Sequence, residues 1–310
     1  MRYLIILIAA ILSAKILVVN SYSQKDQCGI PQLNGFLITM YTKGYKPSDF
    51  EIVFLNSRTN TKENIKKISE KYLKNINNYR YIVTFDDTAF KMIGIKASKT
   101  KKVYFSGLNY PVKLYKKHFK ANWENICGVY EKLYFKEVLN SYKNFFNPKK
   151  IAFFYSDGVG RILKTQYECE MKNTQYLKNT TFFYIKNKKD LIEKTKEVNR
   201  NFDLFLPFAM SINENHKKIS FLKFKNIYLQ NIKKPDLSIN LTFVNLGFLG
   251  LGGVDFYKMG SQLANMIINK KCNIENAKNY LLFINANRAK EINFKIPKEF
   301  LQNNIAVIKW

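Results

Sequence analysis

The sequence predicts an α/β protein made of two Rossmann-like units, each a parallel sheet covered by helices. Short β-rich apolar runs alternate with helical apolar stripes along most of the chain. The alternation pauses over residues 121–130 and then resumes, which divides the elements into two sets. The chain has 310 residues, 46% of them hydrophobic. At roughly 100–200 residues per domain this is enough for two packed cores.

The first set opens with an apolar run at 16–20. A helical stripe follows Pro31, because Leu33, Phe36, Leu37 and Met40 recur at i, i+3, i+4 and i+7. A strand at 50–55 precedes a helix over 61–73, with Ile65, Ile68 and Tyr72 on one side and Thr61 as its cap. A strand at 81–85, a helix at 88–95 and a strand at 103–105 complete the set. Such β-α-β-α-β order is the signature of a parallel sheet with helices on both faces.

The second set begins with a helix over 133–146, ended by Asn147-Pro148. Strands are expected at 151–155, 181–185, 202–206 and 227–229, with helices at 162–171, 189–198 and 213–222. Residues 243–253 carry Gly247, Gly250, Gly252 and Gly253, too many glycines for an ordinary helix. An extended crossover and tight turn are expected there. Asp255 then opens a helix with Phe256, Met259, Leu263, Met266 and Ile267 on one stripe; its acid suits the helix dipole. A last strand is read at 280–284.

The first residues have the form of an export signal: Met1-Arg2, an apolar run from Leu4 to Leu12, then the small pair Ser13-Ala14. Residues 1–14 are read as a signal peptide and the mature protein as periplasmic. The alternative is a continuous anchor over 4–19, which would be short of the roughly 20 residues that span a bilayer. No cysteine stands where a lipoprotein would be cleaved. Cys28, Cys127, Cys169 and Cys272 are scattered, with neither CxxC pairs nor metal spacing. An oxidising compartment allows a disulfide, but the spacing selects no pair.

The net charge of +28 raises the question of nucleic acid. The lysines are spread along the whole chain among abundant Asn, Ile, Tyr and Phe, without an arginine cluster or a binding motif. A solvated basic surface with some attraction for anionic membranes is expected, and no nucleic-acid partner.

In open parallel sheets ligands sit beyond the carboxyl ends of the strands. Those ends carry Asn20-Ser21-Tyr22, Asn56-Ser57-Arg58, Asp86-Asp87-Thr88, residues 106–110, Ser156-Asp157-Gly158, residues 207–211 and Gln230-Asn231. Hydroxyls, amides, carboxylates and aromatic rings collected on one edge suit a small polar ligand. Each such residue can also serve as a helix N-cap. GxSxG, GxxxxGK[ST] and HExxH are absent, so no enzyme, cofactor or metal is implied.

Several segments resemble the substrate-binding proteins of ABC transporters with the periplasmic binding protein type I fold, in the branch with tryptophan- and tyrosine-binding members. They are GVDFYKMGSQLANMIINKK (253–271), YLLFINANRAKEINFKIPKEFL (280–301), NICGVYEKL (125–133), ILVVNSY (16–22), VTFDDTAFK (83–91) and YFSGLNYP (104–111). The resemblance implies two lobes: 15–125, then 126–240, with 241–271 returning to the first and 272–310 forming a tail on the second. By the same likeness Ser21, Tyr22, Asp86, Asp87, Ser106, Asn109, Ser156, Phe208 and Asp255 face the cleft. It further implies a monomer that closes by hinge motion on a small molecule, an amino acid first among them, and docks on an ABC permease in the inner membrane. A histidine kinase acting in trans is the alternative partner, and a Rossmann-like enzyme the reading from another class.

Overall fold

The computed structural model describes residues 15–110, 112–298, 301–302 and 305–308; the segment read as a signal peptide lies outside them. Among the described residues no helix is long and apolar enough to cross a membrane. The strands in chain order are β1 (Lys15–Asn20), β2 (Phe50–Phe54), β3 (Tyr79–Phe85), β4 (Val103–Leu108), β5 (Ile126–Tyr130), β6 (Ile151–Tyr155), β7 (Thr180–Tyr184), β8 (Leu204–Phe208), β9 (Ser211–Glu214), β10 (Lys217–Ser220), β11 (Gly250–Val254), β12 (Ile274–Asn276), β13 (Tyr280–Asn285) and β14 (Ile305–Ile308).

The first lobe is a six-stranded parallel sheet in the order β12-β5-β4-β3-β1-β2. Its central strands are covered on both faces, which is why Ile16 to Val19 and Val103 to Phe105 read as unbroken apolar runs. Alternate residues divide between two cores. Leu17, Val19, Ile82 and Phe105 pack with Phe90 and Ile93 on one face. Ile16, Val18 and Val83 pack with Phe36 and Met40 on the other. On that second face the helices Gly29–Tyr41 and Phe256–Ile268 cross almost backbone to backbone. A Cβ on Gly35 would stand 1.9 Å from the Tyr257 carbonyl oxygen, and one on Gly260 2.0 Å from that of Gln32. Only glycine permits this approach.

The second lobe has a parallel sheet β7-β6-β8 and a second sheet β11-β13-β14. Residues 236–239 join them. Phe205 bridges Asp236 on one side, and Ser238 and Ile239 exchange backbone hydrogen bonds with Gly250 and Val254 on the other. The core here is aromatic: Phe153, Tyr167, Phe205, Phe208, Phe221 and Tyr228 are all nearly or fully buried.

The strand ladders put the chain crossings at 131–134, at Asp255 and at 277–279. The boundaries expected at 125/126 and 240/241 therefore move. Residues 126–130, expected to begin the second lobe, are an interior strand of the first sheet, and residues 250–254 still belong to the second lobe. β12 lies on the first sheet, so the tail joins the second lobe only from residue 280. The crossings are bonded together. Ala277 N–H donates to the Tyr130 carbonyl at 2.9 Å and Asp255 N–H to that of Asn279 at 3.3 Å. The Tyr134 hydroxyl donates to the Ala277 carbonyl.

Other local expectations also change. The helix read over 213–222 is the antiparallel hairpin β9-β10, whose turn places Asn215 and His216 at φ 48 and 62. The strand read at 227–229 lies inside the helix Phe221–Asn231, because Phe221, Phe224 and Tyr228 form its buried stripe. The crossover expected from residue 243 begins instead with the short helix Leu241–Asn245, capped by Asn240. Cys127 and Cys272 form a disulfide, while Cys28 and Cys169 are free thiols.

Candidate functional site

The carboxyl edge of the first sheet converges on a run of carboxylates. β1 ends in Asn20, whose side-chain oxygen accepts from Tyr22 N–H at 2.9 Å and fixes the turn that presents the Tyr22 ring. The ring's hydroxyl donates to Asp86 Oδ2 at 2.8 Å. Asp86 follows β3 directly and holds φ at 71, a left-handed conformation costly for a residue with a Cβ. Its other oxygen accepts from Asp87 N–H at 2.6 Å. The helix that starts here contains a π-turn over Phe90–Gly94, a feature that often accompanies functional sites.

Asp87 accepts hydrogen bonds from the Tyr115 hydroxyl and from Asn109 N–H. The Asn109 side-chain amide donates at 3.1 Å to Glu131 on the first chain crossing. Tyr130 closes the arrangement with a hydroxyl 3.2 Å from the Asn109 carbonyl. Asp86, Asp87, Asn109 and Glu131 thus form a continuous hydrogen-bonded row from β3 to the crossing that leads to the second lobe. Above it the Arg58 guanidinium lies 4.5 Å from the centre of the Tyr22 ring and pairs with Asp26 at 3.2 Å.

Burial raises the proton affinity of the whole row. It pushes the Asp86 carboxyl up to about 7, with the Asp87 charge adding to the effect. Asp87 is also raised by burial. Glu131, only 2% exposed, is held well above the usual carboxylate range by burial and then by the Asp86 and Asp87 charges. Asp86 is therefore poised near neutrality, and a cationic group placed against the row would favour the ionised form of its carboxyls.

Across the mouth the lobes touch. Asn245 Nδ2 donates to Gln27 Oε1 at 2.7 Å, and Cys28 Sγ lies 3.5 Å from Thr242 Oγ1. The carboxyl edge of the second sheet presents Asp157, which accepts from Arg161 Nε and from the Tyr184 hydroxyl, both at 2.7 Å. The first crossing is anchored from the second lobe by Glu170, whose carboxylate accepts Leu133 N–H at 2.7 Å and Phe135 N–H at 3.2 Å. A concavity of about 320 Å³ between Lys136, Asn147 and Tyr176 lies on the outer surface and converges no such chemistry. Among the described residues no cluster of His, Cys, Asp and Glu is arranged to hold a metal ion.

Of the nine residues named from sequence, the structure brings Tyr22, Asp86, Asp87 and Asn109 into one row. Ser21 braces it from beneath, donating to the Phe85 carbonyl at 2.7 Å and accepting from Ala89 N–H at 2.8 Å. The other four are engaged elsewhere. Ser106 donates to Gln32 at 3.0 Å inside the first core. Ser156 accepts from Ser211 N–H at 3.1 Å. Phe208 is fully buried among rings of the second core. Asp255 caps the helix Phe256–Ile268 through Lys258 N–H at 2.9 Å. Glu131 and Tyr115 were not singled out from the sequence. Glu131 follows β5, which lies inside the pause expected over 121–130 and so offers no strand end in the sequence pattern, and Tyr115 sits in a helix with no local signal.

No family model matches the chain. No curated protein sequence matches it either. Solved structures do. An ABC domain from Streptococcus pneumonia, crystallised in complex with L-Trp, is 20% identical with a TM-score of 0.67 and covers 96% of this chain and 100% of its own. A ligand-free, open substrate-binding protein with adhesive properties from Clostridium difficile is 15% identical with a TM-score of 0.69, covering 96% and 99%. A conserved domain protein from Vibrio cholerae is 17% identical with a TM-score of 0.64, covering 96% and 100%. At these identities the likeness establishes architecture, and the chain has the two-lobed α/β fold of periplasmic binding proteins of type I.

Proposed function

We propose that this protein is an extracytoplasmic solute-binding protein that clamps a small polar ligand between its lobes and delivers it to an ABC permease. The observation that carries the reading is the row Asp86-Asp87-Asn109-Glu131. It runs along the cleft edge of one lobe and ends on the crossing into the other, so a ligand that engages it acts on the hinge. A protonated amine suits three carboxylates better than any neutral group does, and the half-buried Tyr22 ring offers an apolar wall. The ligand class favoured is therefore an amino acid or another primary amine. The neighbour crystallised with L-Trp adds weight to an aromatic amino acid.

The mechanism is mechanical rather than chemical. Ligand contacts made by both lobes exist only in the closed form, so ligand shifts the population toward closure by its differential affinity. Calorimetric titration with L-amino acids, their N-acetyl derivatives and their amides tests the reading. Binding should require the free amine and survive amidation of the carboxyl less completely than it survives changes of side chain. Equal binding of N-acetylated and free forms would remove the carboxylate row from the ligand site.

A further inference from the structure

The first lobe is electrically polarised along its strands. All six strands of its sheet run parallel, so the loops that precede them share one edge, opposite the carboxylate row. Those loops carry Lys46 before β2, Lys99 and Lys102 before β4, Lys120 before β5 and Lys271 before β12, and Lys74 ends the helix that leads into β3, every one exposed. Asp49 and Glu124 are the acids among them, and the Asp49 carboxylate is already engaged by Lys46 N–H at 2.7 Å. The loops are laced together. Lys101 Nζ donates to the Asn77 carbonyl and Lys102 Nζ to that of Glu124, each at 3.1 Å. Asn125 reaches the Ser98 carbonyl at 2.9 Å. Six strands at about 4.8 Å spacing make this a lysine-bearing face roughly 25 Å wide on a rigid scaffold.

β1 starts at Lys15 on the same edge, and the residues before it in the sequence are the apolar run from Leu4 to Leu12. An exposed edge of lysines with few acids matches one kind of partner by charge: an anionic bilayer surface. We propose that this edge of the first lobe is a docking surface for anionic lipid headgroups, holding the carboxylate edge, and with it the ligand cleft, away from the membrane. Lysines near a negatively charged bilayer contribute additively and fade with salt. Their clustering on one edge distinguishes docking from the diffuse attraction that net charge alone produces. The proposal does not depend on the identity of the cleft ligand.

The test is flotation of the full chain with vesicles of phosphatidylcholine alone, or with about 30 mol% phosphatidylglycerol, at low and high salt. Binding to the zwitterionic vesicles measures the apolar segment. Anionic lipid is expected to raise the partition coefficient about tenfold or more at low salt and to lose that gain near 0.5 M salt. The triple variant K99E/K120E/K271E should fall to the zwitterionic level. The triple variant K186E/K189E/K196E, which makes the same charge change on the second lobe, should stay within about twofold of the parent. Equal losses in both variants would reduce the effect to net charge and overturn the proposal. So would indifference to lipid composition, or a duplex DNA that binds through Lys99, Lys120 and Lys271 while the vesicles do not. Unchanged far-ultraviolet dichroism and melting in both variants establish that folding is not the cause.

Discussion

Cys28 Sγ stands 3.5 Å from Thr242 Oγ1, although one residue belongs to the loop after β1 and the other to the second lobe. The lobes reach each other here and at the neighbouring Asn245–Gln27 hydrogen bond. Thr242→Cys therefore places two thiols within bonding range only when the lobes are closed. In a Cys169→Ser background, which removes the exposed free thiol, mild oxidation should cross-link the lobes and shift the chain's mobility on a non-reducing gel. Cleft ligand should accelerate the reaction. A cross-linking rate unaffected by any ligand that binds would separate binding from closure.

The carboxyl of Asp86 gives the ligand-free protein a distinctive pH dependence. An aspartate in an unfolded chain titrates near 3.9, whereas burial holds this one at about 7. Below about pH 4 it is protonated in both states and contributes nothing. Between about pH 4 and 7 only the unfolded chain ionises, so the native state loses stability as pH rises, and above 7 the loss is complete. Asp86→Asn keeps an oxygen acceptor for Asp87 N–H, turns its amide N–H as donor toward the Tyr22 hydroxyl, and cannot ionise. Relative to the parent, its urea midpoint should rise from about pH 4 to 7 and level off above that. A difference that stays constant with pH would mean that Asp86 is already ionised in the free protein.

The disulfide from Cys127 to Cys272 joins β5 to the segment entering β12 across 145 residues of sequence, a ring that contains the whole second-lobe core of β6 to β8. Loop-closure entropy for such a ring is on the order of 5 kcal/mol, and measured losses for native disulfides run about 2–5 kcal/mol. Cys272→Ser should lower the unfolding free energy by that amount. Reductant should reproduce the loss in the parent and have no further effect in the variant. A parent indifferent to reductant would show that the bond does not form in the folded protein.

Gly260→Ala tests the contact that brings the chain back to the first lobe. The added methyl meets the Gln32 carbonyl oxygen at 2.0 Å, a backbone atom that cannot step aside without moving its helix. The expected cost is about 1–3 kcal/mol, read from chemical denaturation with an unchanged slope. A neutral result would require the two helices to be farther apart than they stand here.

Much of the architecture was legible because parallel strands buried on both faces announce themselves as unbroken apolar runs, as at Ile16 to Val19 and Val103 to Phe105. Helix 256–268 was legible in its stripe and its Asp255 cap. The errors fall where local patterns are degenerate. Ile227-Tyr228-Leu229 reads as a strand taken alone and as helix once Phe221 and Phe224 are counted with Tyr228. The turn at Asn215-His216 needs two left-handed residues, for which asparagine is a weak signal. The first crossing was misplaced because β5 gains its place from neighbours 20 residues upstream and nearly 150 downstream.

The site was legible to a lesser degree for the same reason. Strand-end logic reached Tyr22, Asp86, Asp87 and Asn109, which do lie together. It also named Ser106 and Ser156, and the family likeness named Asp255; their hydrogen bonds are spent on local structure, because a capping residue and a ligand-facing one look alike in sequence. Glu131 became visible only when the sheet order placed it beside Asn109.

The most direct measurement of the central claim is a thermal-shift screen of the protein against the common amino acids and simple amines, in parallel with Asp86→Asn and Glu131→Gln. Ligand at about a hundred times its dissociation constant adds about 2.7 kcal/mol to the folded state, a rise of several degrees for a chain of this size. The account predicts at least one amine that raises the parent midpoint by that much and fails to do so in both variants. If no amine moves the parent, or if the variants respond as the parent does, the carboxylate row is not where this protein holds its ligand.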